Sequence, residues 1–253
     1  MNRNVLKIIA VVTMIIDHVG LFLFNDNLIC RFIGRFSFPL FAFFISEGMR
    51  YTRSRRRYAL NLSIFAIITQ IPFGLLFGWK YFNVLFTFLL AIGFIVLIES
   101  YKKAKDDTMN IVKNILVTVF LVCLLIFSVF GEIFNLFDYG LYGIILTVGF
   151  YFAKSKPIQL IVGFLIMLLN TIISVIKYAS IVDAMFKLMP TLAIILLFFY
   201  NGKKGKLNLK YLFYVAYPLN FLIFYLIKLF WYKFEVNTEI THAIYLVWKI
   251  KKT

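Results

Sequence analysis

The sequence predicts an all-α protein, a polytopic integral membrane helix bundle of about nine spans with its N-terminus in the cytoplasm. Three observations predict it. Hydrophobic residues make up 62% of the 253 residues and charged residues 15%, against roughly 45–50% and 25% in a soluble domain, and the mean hydropathy is +0.91. Apolar runs of about 20 residues, the length that crosses a bilayer, recur along the chain. The basic residues collect in alternate loops. Together these exclude a soluble globular enzyme, a disordered chain and a fibrous protein.

The spans read as 5–24, 30–49, 58–78, 82–99, 112–131, 139–153, 158–176, 183–200 and 211–232. The first follows a short basic start. No small-residue cleavage site follows it, and it carries Asp17 and His18, so it reads as a retained span rather than a signal peptide. Pro39 removes a backbone hydrogen bond and kinks the second. The sixth is short, which suits a tilted or re-entrant segment. Asn201-Gly202 is a turn signal between the eighth and ninth. Nine spans consume about 180 residues, so 1–232 forms one domain without room for a soluble module. The mixed tail, 233–253, reads as an interfacial segment.

The net charge is +16. In a soluble protein that suggests nucleic acid. In a membrane protein the tendency of cytoplasmic loops to gather Lys and Arg accounts for it, and no nucleic-acid partner is expected. With the N-terminus inside, the inner segments hold 17 of the 27 basic residues, five of them at Arg50, Arg53, Arg55, Arg56 and Arg57. The outer loops hold only Lys80, Lys177 and Lys187, and 132–138 carries Glu132 and Asp138 instead. Lys249, Lys251 and Lys252 conflict with an outer tail. Cys30 and Cys123 are too far apart in sequence for a disulfide framework or a metal-ligand spacing. No metal is expected, and no nucleotide fingerprint, GxSxG elbow or HExxH is present.

A charge inside the bilayer costs at least about 2.5–3.5 kcal/mol, so a charge within a span is a functional candidate. Lys7 and His18 are eleven residues apart, three helical turns and about 20°, so they share a face about 16 Å apart along the axis. Lys7 either snorkels to the interface or meets a ligand. His18 is either a packed structural histidine or a general base near neutral pH. Asp17 points about 100° away from His18; it orients His18 or another group, though a direct same-helix contact is disfavoured.

Arg31 and Arg35 share a face at i, i+4. They are interfacial arginines, or they meet anions or carbonyls inside the bundle in the same leaflet as His18. Glu47 pairs with Arg50 or another basic residue, or acts in the site. Gln70, Pro72, Asn83 and Thr87 surround a turn, where they either tie helices together or meet substrate. The arginine-rich loop and YNGKKGK (200–206) form either ordinary inner loops or a basic mouth for an anionic cofactor. His242 in the tail has no partner by pattern.

LKIIAVVTMIIDHVG (6–20), RFIGRFSFPLFAFFISEGMRYT (31–52), the QIPFGLLF and NVLFT segments (70–87), YNGKKG (200–205) and FYVAYPLN (213–220) lie in family order over 6–220. On these motifs the chain resembles the TraX family of bacterial membrane proteins. The Lys7-x10-His18 spacing also resembles the basic-x10-His pattern of the wider transmembrane acyltransferase superfamily. The resemblance implies acyl transfer from acetyl-CoA, or another acyl-CoA, in the cytoplasm to an acceptor at the outer face of the bacterial cell membrane. For the family's type member the acceptor is the N-terminus of a pilin; for related proteins it is a cell-surface polymer.

His18 then corresponds to the motif histidine and Arg31 and Arg35 to the second-helix arginines, with Asp17 beside them as catalytic candidates. Lys7, Arg53, Lys203 and Lys204 would hold the donor. Glu47, Asn83, Tyr217 and Asn220 would meet the acceptor. One departure stands out: the family carries a histidine after the tyrosine-proline of the last motif, where this chain has Asn220. The rival classes are a transporter or flippase and a non-catalytic conjugation-associated membrane protein.

Overall fold

The computed structural model describes residues 1–105, 111–178, 181–203, 205–207, 209 and 211–250, with side chains described except at 104, 105, 113, 177, 178, 181, 183, 184 and 232–250. Ten helices account for nearly all of them: α1 Arg3–Phe22, α2 Leu28–Gly34, α3 Ser37–Tyr51, α4 Arg55–Phe77, α5 Val84–Lys105, α6 Ile111–Ile133, α7 Gly140–Phe152, α8 Lys156–Tyr178, α9 Ile181–Phe198 and α10 Leu212–Ile250. Among the described residues no strand forms; a single isolated bridge joins Phe82 and Phe137. Seven spans are long and apolar enough to cross a membrane, with Leu28–Tyr51 counted as one, and two shorter apolar helices, Gly140–Phe152 and Met185–Phe198, complete the set. The chain is a polytopic helical membrane protein.

The second span is a broken helix rather than a kinked one. Pro39 has no N–H to offer the carbonyl four residues earlier, and its ring crowds that carbonyl. The residue four earlier is Arg35, and α2 ends there. The seven-residue α2 lies against α1 because both contacts use glycine: a Cβ at Gly34 would overlap the Asp17 side chain, and one at Gly20 would overlap Cys30. The turn between them places Asn25 and Asp26 at positive φ. Asn27 then caps α2 by accepting from the Ile29 and Cys30 amides at 3.1 and 3.2 Å.

The core is apolar, built largely by α3 and α7. Leu40, Ala42, Leu146 and Phe150 are fully buried, with Leu6 and Ala10 of α1 and Met167 of α8 beside them. The short α7 has 13 residues, about 20 Å of helix, and packs between α3, α5 and α8. By contrast α6 exposes Val112, Phe120 and Ile126. In a bilayer such faces meet acyl chains rather than water. The predicted tail begins within α10, which runs for 39 residues to Ile250, about 58 Å. The side chain of His242 lies outside the described residues.

Several charges at the basic end of the bundle lock helices together. Arg55 pairs with Glu99, while Tyr151 Oη donates to Glu99 at 2.5 Å and accepts from Arg55 at 2.6 Å, joining α4, α5 and α7. Arg50 donates to the carbonyls of Phe150, Tyr151 and Ala153 at 3.0, 2.5 and 3.0 Å, satisfying the C-terminus of α7. The expected Glu47–Arg50 pair therefore does not form. Tyr200 is the hydrogen-bond partner of the buried Glu47, with Oη at 3.5 Å.

Candidate active site

His18 projects from α1 one residue beyond the buried Asp17. Its Nδ1 meets the side-chain amide of Asn220 on α10. The ring packs 4.7 Å from Phe221, centroid to centroid, with Phe22 and Phe224 farther off. Asn220 is thus the group that holds the histidine. An amide presents either a donor or an acceptor, so its orientation decides which imidazole nitrogen keeps the proton.

Asp17 does not touch His18. It turns to α2, 3.1 Å from Arg31 Nη1 and 3.8 Å from Arg35 Nη2. Arg31 also meets Asp26 at 3.0 Å. Arg35 donates to Tyr139 Oη at 3.4 Å and lies over the Phe186 ring. The 100° step along α1 separates the two side chains, and the break before α3 swings the arginines onto the carboxylate.

Asp17, His18, Arg31 and Arg35 line a cavity of about 380 Å³ that also receives Asp138, Tyr139 and Asn135 from the α6–α7 loop, Phe41 from α3 and Tyr217 from α10. Asp138 was read from the sequence only as a loop charge. Its backbone is fixed on both sides: its N–H donates to the Phe82 carbonyl at 3.0 Å, and its own carbonyl accepts from Thr87 Oγ1 at 2.5 Å. Tyr139 follows at φ 61° and Gly140 at φ 40°. The tyrosine ring stacks on Phe38 at 3.7 Å, which holds this costly left-handed residue in place. Burial raises the Asp138 carboxyl to a pKa of about 6, against the lowering influence of Arg35.

A second cavity, about 490 Å³, lies at the basic end. Arg3, Lys7, Arg53 and Arg57 line it, together with apolar side chains such as Phe44, Leu62, Phe88 and Phe213. Lys7 Nζ donates to the Leu209 carbonyl at 3.0 Å and sits 5.0 Å from the centre of the Phe213 ring. Asn4 Nδ2 likewise reaches Leu207 O at 2.8 Å, so the loop after α9 wraps the start of α1. Phe41, Val84 and Tyr217 line both cavities. The two spaces therefore meet at one constriction, with the basic residues on one side and His18 on the other.

Not every predicted site residue joins this path. Lys7, Arg53 and Tyr217 do, with Arg57 of the arginine-rich loop beside them; Arg3 was missed. Lys203 lies on the adjoining loop, where its carbonyl accepts from the Arg3 amide at 2.8 Å, but it lines neither cavity. Lys204 lies outside the described residues. Glu47 faces a third space of about 550 Å³ with Arg3, Arg50 and Lys156. Asn83 is fully buried and wholly engaged. Its amide donates to Ala66 O and Gln70 Oε1, each at 2.9 Å, and its oxygen accepts from the Leu85 amide at 3.0 Å. It caps α5 and ties it to α4, so it has no group left for substrate.

No solved structure matches the chain. Among curated proteins it is 27% identical to the "Probable fimbrial assembly protein FimC, serogroup H1" of Dichelobacter nodosus, over 91% of this chain and 99% of that one. It is 37% identical to an uncharacterised protein of Rickettsia prowazekii (strain Madrid E), over 30% of this chain and 28% of the other. The family model described as TraX protein matches residues 2–228. That match takes in every residue that lines the two cavities, and the chain belongs to the TraX family.

Proposed function

We propose that the chain is a membrane acyltransferase of the bacterial cell membrane, with residues 1–232 as its catalytic unit and its N-terminus in the cytoplasm. It takes an acetyl or related acyl group from acyl-CoA at the basic end. It transfers that group to an amine or hydroxyl of a pilin-like protein or cell-surface molecule at the opposite end. The fimbrial-assembly description of the Dichelobacter relative supports a pilus-linked acceptor. The observation that carries the reading is the pair of cavities meeting at Phe41, Val84 and Tyr217.

The residues at each end suit the parts of such a donor. Arg3, Lys7, Arg53 and Arg57 present positive charge to phosphates. The apolar wall beyond them suits a pantetheine arm. The rise from Lys7 to His18 is about 16 Å, so an extended arm entering at Lys7 brings a thioester to the constriction. His18 withdraws a proton from the acceptor when Asn220 turns its carbonyl oxygen to Nδ1–H and leaves Nε2 free. With the amide reversed, Nε2–H donates instead and polarises the thioester carbonyl. Arg35 is the oxyanion partner, because Arg31 is already engaged by both Asp17 and Asp26.

The test uses purified protein in lipid nanodiscs, labelled acetyl-CoA and membranes of the host. Wild type labels a membrane component and His18→Ala does not. Equal labelling by both refutes the assignment. Movement of a substrate across the bilayer without transfer of label favours a transporter.

A further inference from the structure

The third space, about 550 Å³ at the basic end, has no part in the proposed transfer. We propose that it binds the phosphate headgroup of an anionic phospholipid. Such a site is independent of acyl transfer. Arg3, Arg50, Lys154 and Lys156 line the space, and Glu47 is the one acid among its described lining residues. Glu47 lies close enough to Arg3 and Arg50 to act on their charge. Even with that carboxylate ionised, the lining keeps an excess of three positive charges.

Two of the cations are fixed by the fold. Arg50 is held by the last carbonyls of α7. Lys156 Nζ donates to the carbonyls of Phe198 and Tyr200, each at 2.6 Å, at the end of α9. These acceptors are neutral, so neither set of bonds removes the charge. Arg3 Nε is buried with no hydrogen-bond partner among the described residues, and a buried donor is normally satisfied. A phosphate in the space offers acceptor oxygens to such cations. The flank of the space favours a lipid over a soluble phosphate. Lys156 Nζ lies 5.6 Å from the centre of the Phe198 ring. Phe198 is exposed, together with Phe199 and Ile195, and so is Ile158, two residues along α8 from Lys156. Such faces of a membrane bundle meet acyl chains. A headgroup at Lys156 therefore sits beside a wall that its own chains can cover, whereas a free phosphate leaves the wall unused. Basic pockets between membrane helices hold acidic headgroups in this way.

The experiment is native mass spectrometry of the full chain released from detergent micelles, titrated separately with phosphatidylglycerol, phosphatidylcholine and inorganic phosphate. Phosphatidylcholine has the same chains and phosphate, with a choline cation that cancels the charge. Wild type holds phosphatidylglycerol about tenfold more tightly than phosphatidylcholine and does not retain inorganic phosphate. Lys154 makes no hydrogen bond or ion pair among the described residues, so Lys154→Gln leaves the fold untouched; it weakens phosphatidylglycerol binding about fivefold, and adding Lys156→Gln brings the loss to about thirtyfold. Lys156→Arg keeps the lipid. Lys102→Gln with Lys103→Gln removes as much charge from the same end, outside the space, and leaves binding nearly unchanged. Equal retention of the two lipids, or equal loss from the two lysine pairs, overturns the inference. So does displacement of phosphatidylglycerol by coenzyme A, which would assign the space to the donor's phosphates. None of these outcomes depends on labelling by His18→Ala, which tests the transfer separately.

Discussion

Replacing Asp17 by Asn keeps the shape that fits against Gly34 and removes only the charge. Two guanidiniums then face each other without their shared carboxylate. Breaking a buried pair by neutralising one member costs about 3–5 kcal/mol. The arginine side chains keep 18% and 20% exposure, and Arg31 retains Asp26 at 3.0 Å, so solvent and the second acid offset part of the loss. The expected cost is near the lower limit, about 3 kcal/mol. For a chain of this size that lowers the melting temperature by about 6–12 °C. The assay is thermal unfolding in detergent followed by intrinsic fluorescence, with Asp26→Asn as the comparison. Asp26 is 63% exposed, so its ion pair contributes about 0–1 kcal/mol and its loss is nearly silent. If the two variants melt together, Asp17 does not hold the arginines and the account of α2 fails.

Tyr217→Trp enlarges the ring at the constriction and is expected to lower kcat for acetyl transfer by tenfold or more, about 1.4 kcal/mol, with little change in acetyl-CoA affinity; a steady-state assay separates the two. Asn83→Ala strands the Leu85 amide and removes the side-chain tie to α4 and is expected to cost about 2 kcal/mol, read as a lower melting temperature with unchanged acetyl-CoA affinity.

Much of the bundle is legible in the sequence because a bilayer imposes one length on every crossing. Most of the long apolar runs became helices within a few residues of their expected ends, the last running on to Ile250, and helical periodicity separated Asp17 from His18. The positions of Arg31 and Arg35 near His18 followed from reversing the chain direction. What pattern could not supply was the partner across a helix contact. Glu47 and Arg50 stand three apart, as an ion pair would, yet Arg50 reaches the unsatisfied carbonyls of α7 instead. For Asn83 the pattern left open a helix tie or a substrate contact, and its neighbours engage every polar atom it has. Asp138 escaped notice because its distance in sequence from His18 hides their common cavity. The available signal was a lone acid before Tyr-Gly in an apolar stretch. The break of the second span was half visible: Pro39 marked it, but the break lies at the carbonyl the proline deprives.

The constriction formed by Phe41, Val84 and Tyr217 bears on the economy of the cell as well as on chemistry. A continuous water-filled bore would let protons run down the gradient that an energised membrane maintains. Apolar or aromatic side chains between the two chambers oppose the entry of ions, which keeps the membrane from being drained through the protein.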